Sequence, residues 1–236
     1  MGDNSTANFP IMVKNTHTTT YSRSRGVTLI EMLVVIGIFG LVSSVLMFNY
    51  SDFSNNVSIR NLSQDIALNL RKAQTYATSV QSLPNGASTT DFPSYGMSFS
   101  PSTTAGSTIA YNKQIVFFAD IPTGAPLAPN KKYDYGVACG SPDVNNECVQ
   151  RLTITTQDKV LQVCRDVNSV EQCATSGVLD VTFRRPTSDA IICYRSGGYI
   201  GECAVENSSY AKVILESPKG LRRTVLIWNT GQIAVQ

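Results

Sequence analysis

Residues 27–48 form a run of 22 positions that carries a single charge, Glu31. That is about the 20 residues an α-helix needs to cross the hydrocarbon core of a bilayer, so the run predicts a membrane-capable helix. Beyond it the apolar pattern narrows to one face. Ile59, Leu62, Ile66, Ala73, Ala77 and Val80 recur at helical spacing with Leu70 and Tyr76 beside them, while Arg60, Asp65, Arg71 and Lys72 fall on other faces. The helix is therefore expected to continue as an amphipathic one until Leu83, Pro84, Asn85 and Gly86 stop it. A helix over residues 27–80 would be roughly 80 Å long at 1.5 Å per residue, more than a domain of this size can bury. Its first half needs an apolar medium or partner from outside the chain.

After a Ser/Thr/Gly-rich linker at residues 85–94 the period falls to two. Strands are expected at 95–100, 109–119, 151–156, 160–164, 178–184, 190–194, 210–216, 224–228 and 232–235. Several of these alternate apolar and polar positions and are rich in Val, Ile, Thr and Tyr, as half-buried antiparallel strands are. Asn229, Thr230 and Gly231 read as a tight turn before the last strand. No period of 20 to 50 residues recurs, which argues against a solenoid. The fold class expected is α+β: a long N-terminal helix, membrane half plus amphipathic half, packed on an antiparallel β-sheet head.

The six cysteines all follow residue 138 and fall into neighbours, Cys139 with Cys148, Cys164 with Cys173, and Cys193 with Cys203. Six cysteines allow fifteen pairings, but the even local spacing favours neighbour pairing. Zinc would call for Cys-x₂₋₄-Cys clusters or adjacent histidines, and the chain has neither. Disulfides in turn imply an oxidising, extracytoplasmic compartment.

Charge and chemistry mostly exclude. The chain has 19 Lys+Arg and 17 Asp+Glu; without Asp3, Lys14, Arg23 and Arg25, which precede Gly26, 16 of each remain. A neutral protein has no global field drawing it to nucleic acid, so such a role would need a local patch. The one histidine, His17, precedes Gly26, which removes Ser-His-Asp and Cys-His chemistry from the rest of the chain. The glycines of residues 194–203 lack the strand and helix setting of a phosphate loop. No catalytic residue, cofactor or metal is assigned. Asp143, Asn145, Asn146 and Glu147 lack the spacing of a calcium loop and read as an ordinary polar loop. Two basic groups remain, Arg184 with Arg185, and Lys219 with Arg222 and Arg223. The second, near Tyr210 and Trp228, could bind phosphates and stack bases; a solvated strand edge is the preferred reading.

The string Arg23, Ser24, Arg25, Gly26, Val27, Thr28, Leu29, Ile30, Glu31 before the apolar run resembles the prepilin leader and assembly helix of type IV pilins and type II secretion pseudopilins. A secretory signal peptide would be cut after its apolar region; here the glycine lies before it. The resemblance implies cleavage by prepilin peptidase between Gly26 and Val27, N-methylation of Val27, and pairing of Glu31 with the freed amine of a neighbouring subunit. Val27 stands where Phe or Met is more usual. The alternative is a plain signal anchor with Glu31 tolerated near the interface. Lys14, Arg23 and Arg25 orient the N-terminus inside and the head outside the cytoplasmic membrane.

Gly40 and Ser44, with Gly37 and Ser43 nearby, allow close helix approach. Many major pilins break this helix with a proline, and none occurs here between Pro10 and Pro84. Residues 95–100, 117–120, 131–134 and 181–186 resemble the H-type minor pseudopilins and related minor pilins. The expected organisation is leader 1–26, assembly half 27–50, amphipathic half 51–84 and disulfide-stapled head 85–236. The expected function is a structural subunit, a minor pilin or pseudopilin of a type IV pilus or type II secretion pseudopilus, and not an enzyme. Its expected partners are other subunits, prepilin peptidase and, before assembly, membrane lipid. A major pilin is the nearest alternative. Because some related minor pilins bind DNA through a basic C-terminal region, a DNA-binding minor pilin is the alternative of another class.

Overall fold

The computed structural model describes residues 26–79, 93–103, 111–121, 130–134, 139, 146–196 and 208–236. His17, the three basic leader residues, most of the expected linker, Asp143, Asn145 and Cys203 lie outside the described residues. The chain divides into two compact units between Met47 and Phe48.

Helix α1 runs from Leu29 to Thr78. In the first unit its apolar side chains face outward, Leu29 at 83% and Phe39 at 73% exposure among them. In the second unit the one-sided stripe expected from the spacing is realised. Ile59, Ile66, Leu70, Ala73 and Ala77 are buried, and Leu62 and Tyr76 pack partly buried against the same core. Leu70 is central to that stripe: the 3- and 4-residue steps run 59, 62, 66, 70, 73, 77.

The antiparallel head expected from the alternation consists, among the described residues, of two five-stranded sheets. The strands are β1 (Ser94–Phe99), β2 (Gln114–Asp120), β3 (Cys148–Thr153), β4 (Lys159–Val167), β5 (Val170–Ala174), β6 (Val178–Phe183), β7 (Ala190–Arg195), β8 (Tyr210–Glu216), β9 (Arg222–Trp228) and β10 (Ile233–Val235). The first sheet has the order β3-β2-β1-β6-β7 and the second β10-β9-β8-β4-β5. Three differences from the expected strands have local causes. Residues 111–113 form a 3₁₀ turn, so β2 begins only at Gln114. Strand β3 starts at Cys148 because Cys148 already pairs with Phe118 across a bulge. Strand β5 was not expected at all. It pairs with β4 through a turn at Asn168 and Ser169, whose φ of 53° and 66° match a type I′ turn that ordinarily signals itself by Asn-Gly.

One core lies under α1 and both sheets. Tyr95, Phe99, Phe117 and Phe183 come from the first sheet, Val160, Val213, Leu215, Val225 and Ile227 from the second. Tyr76 of α1 meets Tyr95 and Phe117 edge-on at 5.5 and 5.7 Å between ring centres. A single side chain ties the end of the helix to both sheets: Gln74 Nε2 donates to Ser188 O (3.3 Å), beyond β6, and to Gly231 O (3.0 Å), beyond β9. Gly231 has φ +82°, and a Cβ there would lie 2.3 Å from Ser188 O, so this junction requires glycine.

Candidate functional site

The start of α1 is organised by Thr28. Its carbonyl accepts from Met32 N (3.2 Å) and its Oγ1 from Glu31 N (3.4 Å). Thr28-Leu29-Ile30-Glu31 is thus the Ser/Thr-x-x-Glu pattern of a helix N-cap, a signal in the string that the sequence analysis left unread. Glu31 falls in the first turn, where the helix dipole favours a negative charge. Among the described residues its carboxylate has no ion-pair partner. Around it Val27, Leu29, Ile30, Met32 and Leu33 are all more than half exposed. A carboxylate is therefore held near the N-terminus of an apolar helix whose side chains have nothing to pack on. This is the one helix among the described residues that is long and apolar enough to cross a membrane.

In the head, the face of the first sheet turned away from the main core holds a buried polar layer. Asp180 on β6 and Arg195 on β7 form an ion pair with both side chains fully buried, and Arg195 Nη2 also donates to Tyr133 O (3.1 Å). Burial pushes the Asp180 carboxyl up to about 6 even against the pull of Arg195. Asp120, at the end of β2, accepts from Asn130 N and Lys131 N, both at 3.0 Å, and burial raises it to about 6. Glu147 accepts from Asp134 N (2.6 Å) and Ile121 N (3.3 Å). Burial, with smaller contributions from the Asp134 and Asp120 charges, pushes Glu147 up to about 9, so it is a neutral acid at pH 7. Thr182 Oγ1 donates to Lys131 O (3.2 Å), and the Tyr133 ring sits 5.6 Å from that of Phe118. Together these groups clamp residues 130–134 onto the sheet, and Lys131 is held there at φ 64°.

The layer is a set of backbone clamps, not a catalytic or metal centre, because its carboxylates are occupied by N–H groups. Asn146 and Glu147, two of the residues weighed for calcium, are used the same way, Asn146 Oδ1 accepting from Cys148 N (3.0 Å). Among the described residues only Cys164, Glu171 and Cys173 bring three ligand-type atoms together, and both sulfurs there belong to a disulfide. The sequence did carry a signal for the clamps: Asp120 and Asp180 are acids inside apolar strands.

Residues 21–47 match the family model of the prokaryotic N-terminal methylation motif. The match supports a type IV pilin or pseudopilin subunit. No curated protein and no solved structure matches it significantly.

Among the described residues of the head the cysteines are joined in place. Cys139 bonds to Cys148, and Cys164 bonds to Cys173 directly across the β4–β5 pair. Cys193 is also in a disulfide. The basic group near the C-terminus is divided by strand alternation. Arg222 lies opposite Glu216 in register and pairs with it at 3.2 Å, whereas Arg223 falls on the face of Val225 and Ile227. Lys219 pairs with Asp52 of α1. Tyr210 and Trp228 are register neighbours, but the Tyr210 hydroxyl donates to Glu171 (2.9 Å), which also pairs with Lys212. Arg184 and Arg185 lie on the other sheet, after β6. The residues weighed as a nucleic-acid patch thus do not form one continuous cationic surface.

Proposed function

We propose that this subunit is a minor pilin or pseudopilin, cut between Gly26 and Val27 by prepilin peptidase and N-methylated on Val27. It then waits in the cytoplasmic membrane, N-terminus inside and head outside, before joining an extracytoplasmic filament. In this reading residues 27–50 assemble, with Glu31 neutralising the Val27 amine of a neighbouring subunit, while residues 85–236 display the stapled head. The observation that carries it is the exposed apolar first half of α1 with a carboxylate in its opening turn that has no ion-pair partner among the described residues. A charge in an apolar medium is costly by a few kcal/mol and calls for a partner. The unbroken helix supports the minor over the major role.

The test is filament incorporation. With prepilin peptidase present, mass spectrometry of the N-terminus should read methylated Val27, and Gly26→Ala should stay uncut. Glu31→Gln should be processed yet drop out of sheared filaments; its undiminished incorporation would sink the pairing. A stoichiometry of the order of one subunit per subunit of filament would instead make this the major pilin. Salt-sensitive DNA binding lost in Arg222→Ala/Arg223→Ala would favour the DNA-binding alternative.

A further inference from the structure

The second unit has an open cavity of about 260 Å³ between α1 and the second sheet, lined by Arg60, Ser63, Gln64, Arg223 and Val235. Two guanidinium groups line it and no acid does. Many other head cations are matched locally: Lys219 with Asp52, Arg222 and Lys159 with Glu216, Lys212 with Glu171, Lys132 with Asp134. Among the described residues neither Arg60 nor Arg223 has an ion-pair partner. Their positions are fixed from behind. Arg60 follows fully buried Ile59 on the helix, and Arg223 is paired with Leu215 on a strand whose next inward residue, Val225, is fully buried. Two arginines thus line one concavity from two packed elements with no acid between them, so an anion entering it would be drawn to both.

We propose that this cavity binds a phosphate-class oxyanion. Guanidinium groups present forked N–H donors that match tetrahedral oxyanions, and two of them on different elements can engage different oxygens. At roughly 30 Å³ per water, the volume holds such a group with several waters still around it. Gln64 supplies a neutral amide donor. The Ser63 hydroxyl is already spent on Arg60 O (2.8 Å), which leaves the arginine side chain, not the helix backbone, to meet the ligand. The same chemistry could come from free phosphate or from a phospholipid headgroup.

The full chain in non-ionic detergent is titrated with inorganic phosphate by calorimetry. Saturable binding at millimolar phosphate is expected, weakened about tenfold by Arg60→Gln or by Arg223→Gln and unchanged by Arg222→Gln, whose guanidinium is turned to the opposite face. Thermal melting of each variant without phosphate checks folding, and Arg60→Lys, which keeps the charge, should retain most of the binding. The lipid arm uses full chain reconstituted in phosphatidylcholine with or without phosphatidylglycerol. If anionic lipid abolishes phosphate uptake in wild type, the headgroup is the source; if uptake is unaffected, free phosphate is. Absence of saturable binding, binding that survives intact in Arg60→Gln/Arg223→Gln, or a response confined to DNA would overturn the proposal.

Discussion

Glu147→Gln tests whether a neutral acid holds the clamp. The wild-type carboxyl has an ordinary value of 4.5 and is pushed up to about 9 in the folded head. Below pH 4.5 both folded and unfolded chains carry the proton, and its contribution to stability is fully present. Above that the unfolded chain loses its proton first, so stability falls by about 1.4 kcal/mol per pH unit until the folded carboxyl itself ionises near pH 9. Asp120 and Asp180 act in the same direction, but their raised values of about 6 end their contribution lower on the scale. Lys113, whose ammonium is pushed down by burial, acts in the opposite sense at the alkaline end. Between about pH 6 and pH 8 Glu147 therefore dominates, and wild type should lose ~3 kcal/mol, a large part of a typical domain's stability. Glutamine cannot ionise, but its amide nitrogen must face one of the two N–H donors that the carboxyl oxygens accept, which costs about 1 to 3 kcal/mol at any pH. The variant should therefore start below wild type near pH 5 and hold that lower stability without a further fall to pH 8. Urea unfolding followed through Trp228, the single tryptophan, measures this directly. Parallel slopes in the two proteins would refute the reasoning, since they would mean that the clamp holds an ionised carboxylate.

Three further outcomes are expected. Leu70→Ala, at a fully buried position in the helix stripe, should cost about 2 to 5 kcal/mol in the same unfolding assay. Gly96→Ala puts a Cβ 2.5 Å from Val181 O and 2.9 Å from the Phe118 ring, and should lower stability by about 1 to 3 kcal/mol, with a matching drop in melting temperature. Replacing Cys164 and Cys173 together by serine opens a loop of sequence separation 9 and should cost about 2.5 to 3 kcal/mol, visible as loss of the stability difference between reduced and oxidised β4–β5.

The parts of this molecule that were legible in the sequence are those in which one period governs a long stretch. The helix stripe from Ile59 to Ala77 and the strand Tyr210–Glu216 are of this kind, because burial on one face leaves a regular trace. Strand β5 left none. It is an edge strand with Val170, Glu171, Gln172 and Cys173 all exposed, so nothing selects alternation there. The division into two sheets was also invisible, since pairing partners are chosen by three-dimensional neighbours and not by period. At the site, Gly26, Val27 and Glu31 stood out by their string, whereas Asp120, Asp180 and Arg195 are distributed over β2, β6 and β7, and Glu147 just precedes β3. Only the fold brings those four around residues 130–134. The Arg222–Arg223 doublet is the reverse case. Adjacent in sequence, it looked like one patch, and the two-residue period of a strand sends its halves to opposite faces.

The change in α1 at its midpoint bears on why this chain needs partners. From Ile59 onward the helix buries one stripe in a core it shares with both sheets, so the second unit satisfies its own apolar surface. Before that, Leu29, Ile36, Phe39, Leu41 and Leu46 are each more than 60% exposed, with Leu41 on the side of the helix away from the other four. A soluble monomer rarely exposes a patch of more than a few hundred Å², so this segment cannot be at rest in water. Lipid chains can cover it, but hydrocarbon gives the Glu31 carboxylate nothing to pair with. Other helices of the same kind can cover the apolar side chains and supply a charge. The capped first turn matters for that reason: Thr28 holds Glu31 N, which keeps Glu31 in the first turn beside the Val27 end, where the proposed function brings in a neighbouring amine. Both unmet requirements, apolar cover and a counter-charge, thus lie at the same end of one helix, and in the proposed function a neighbouring copy of that helix is what answers both.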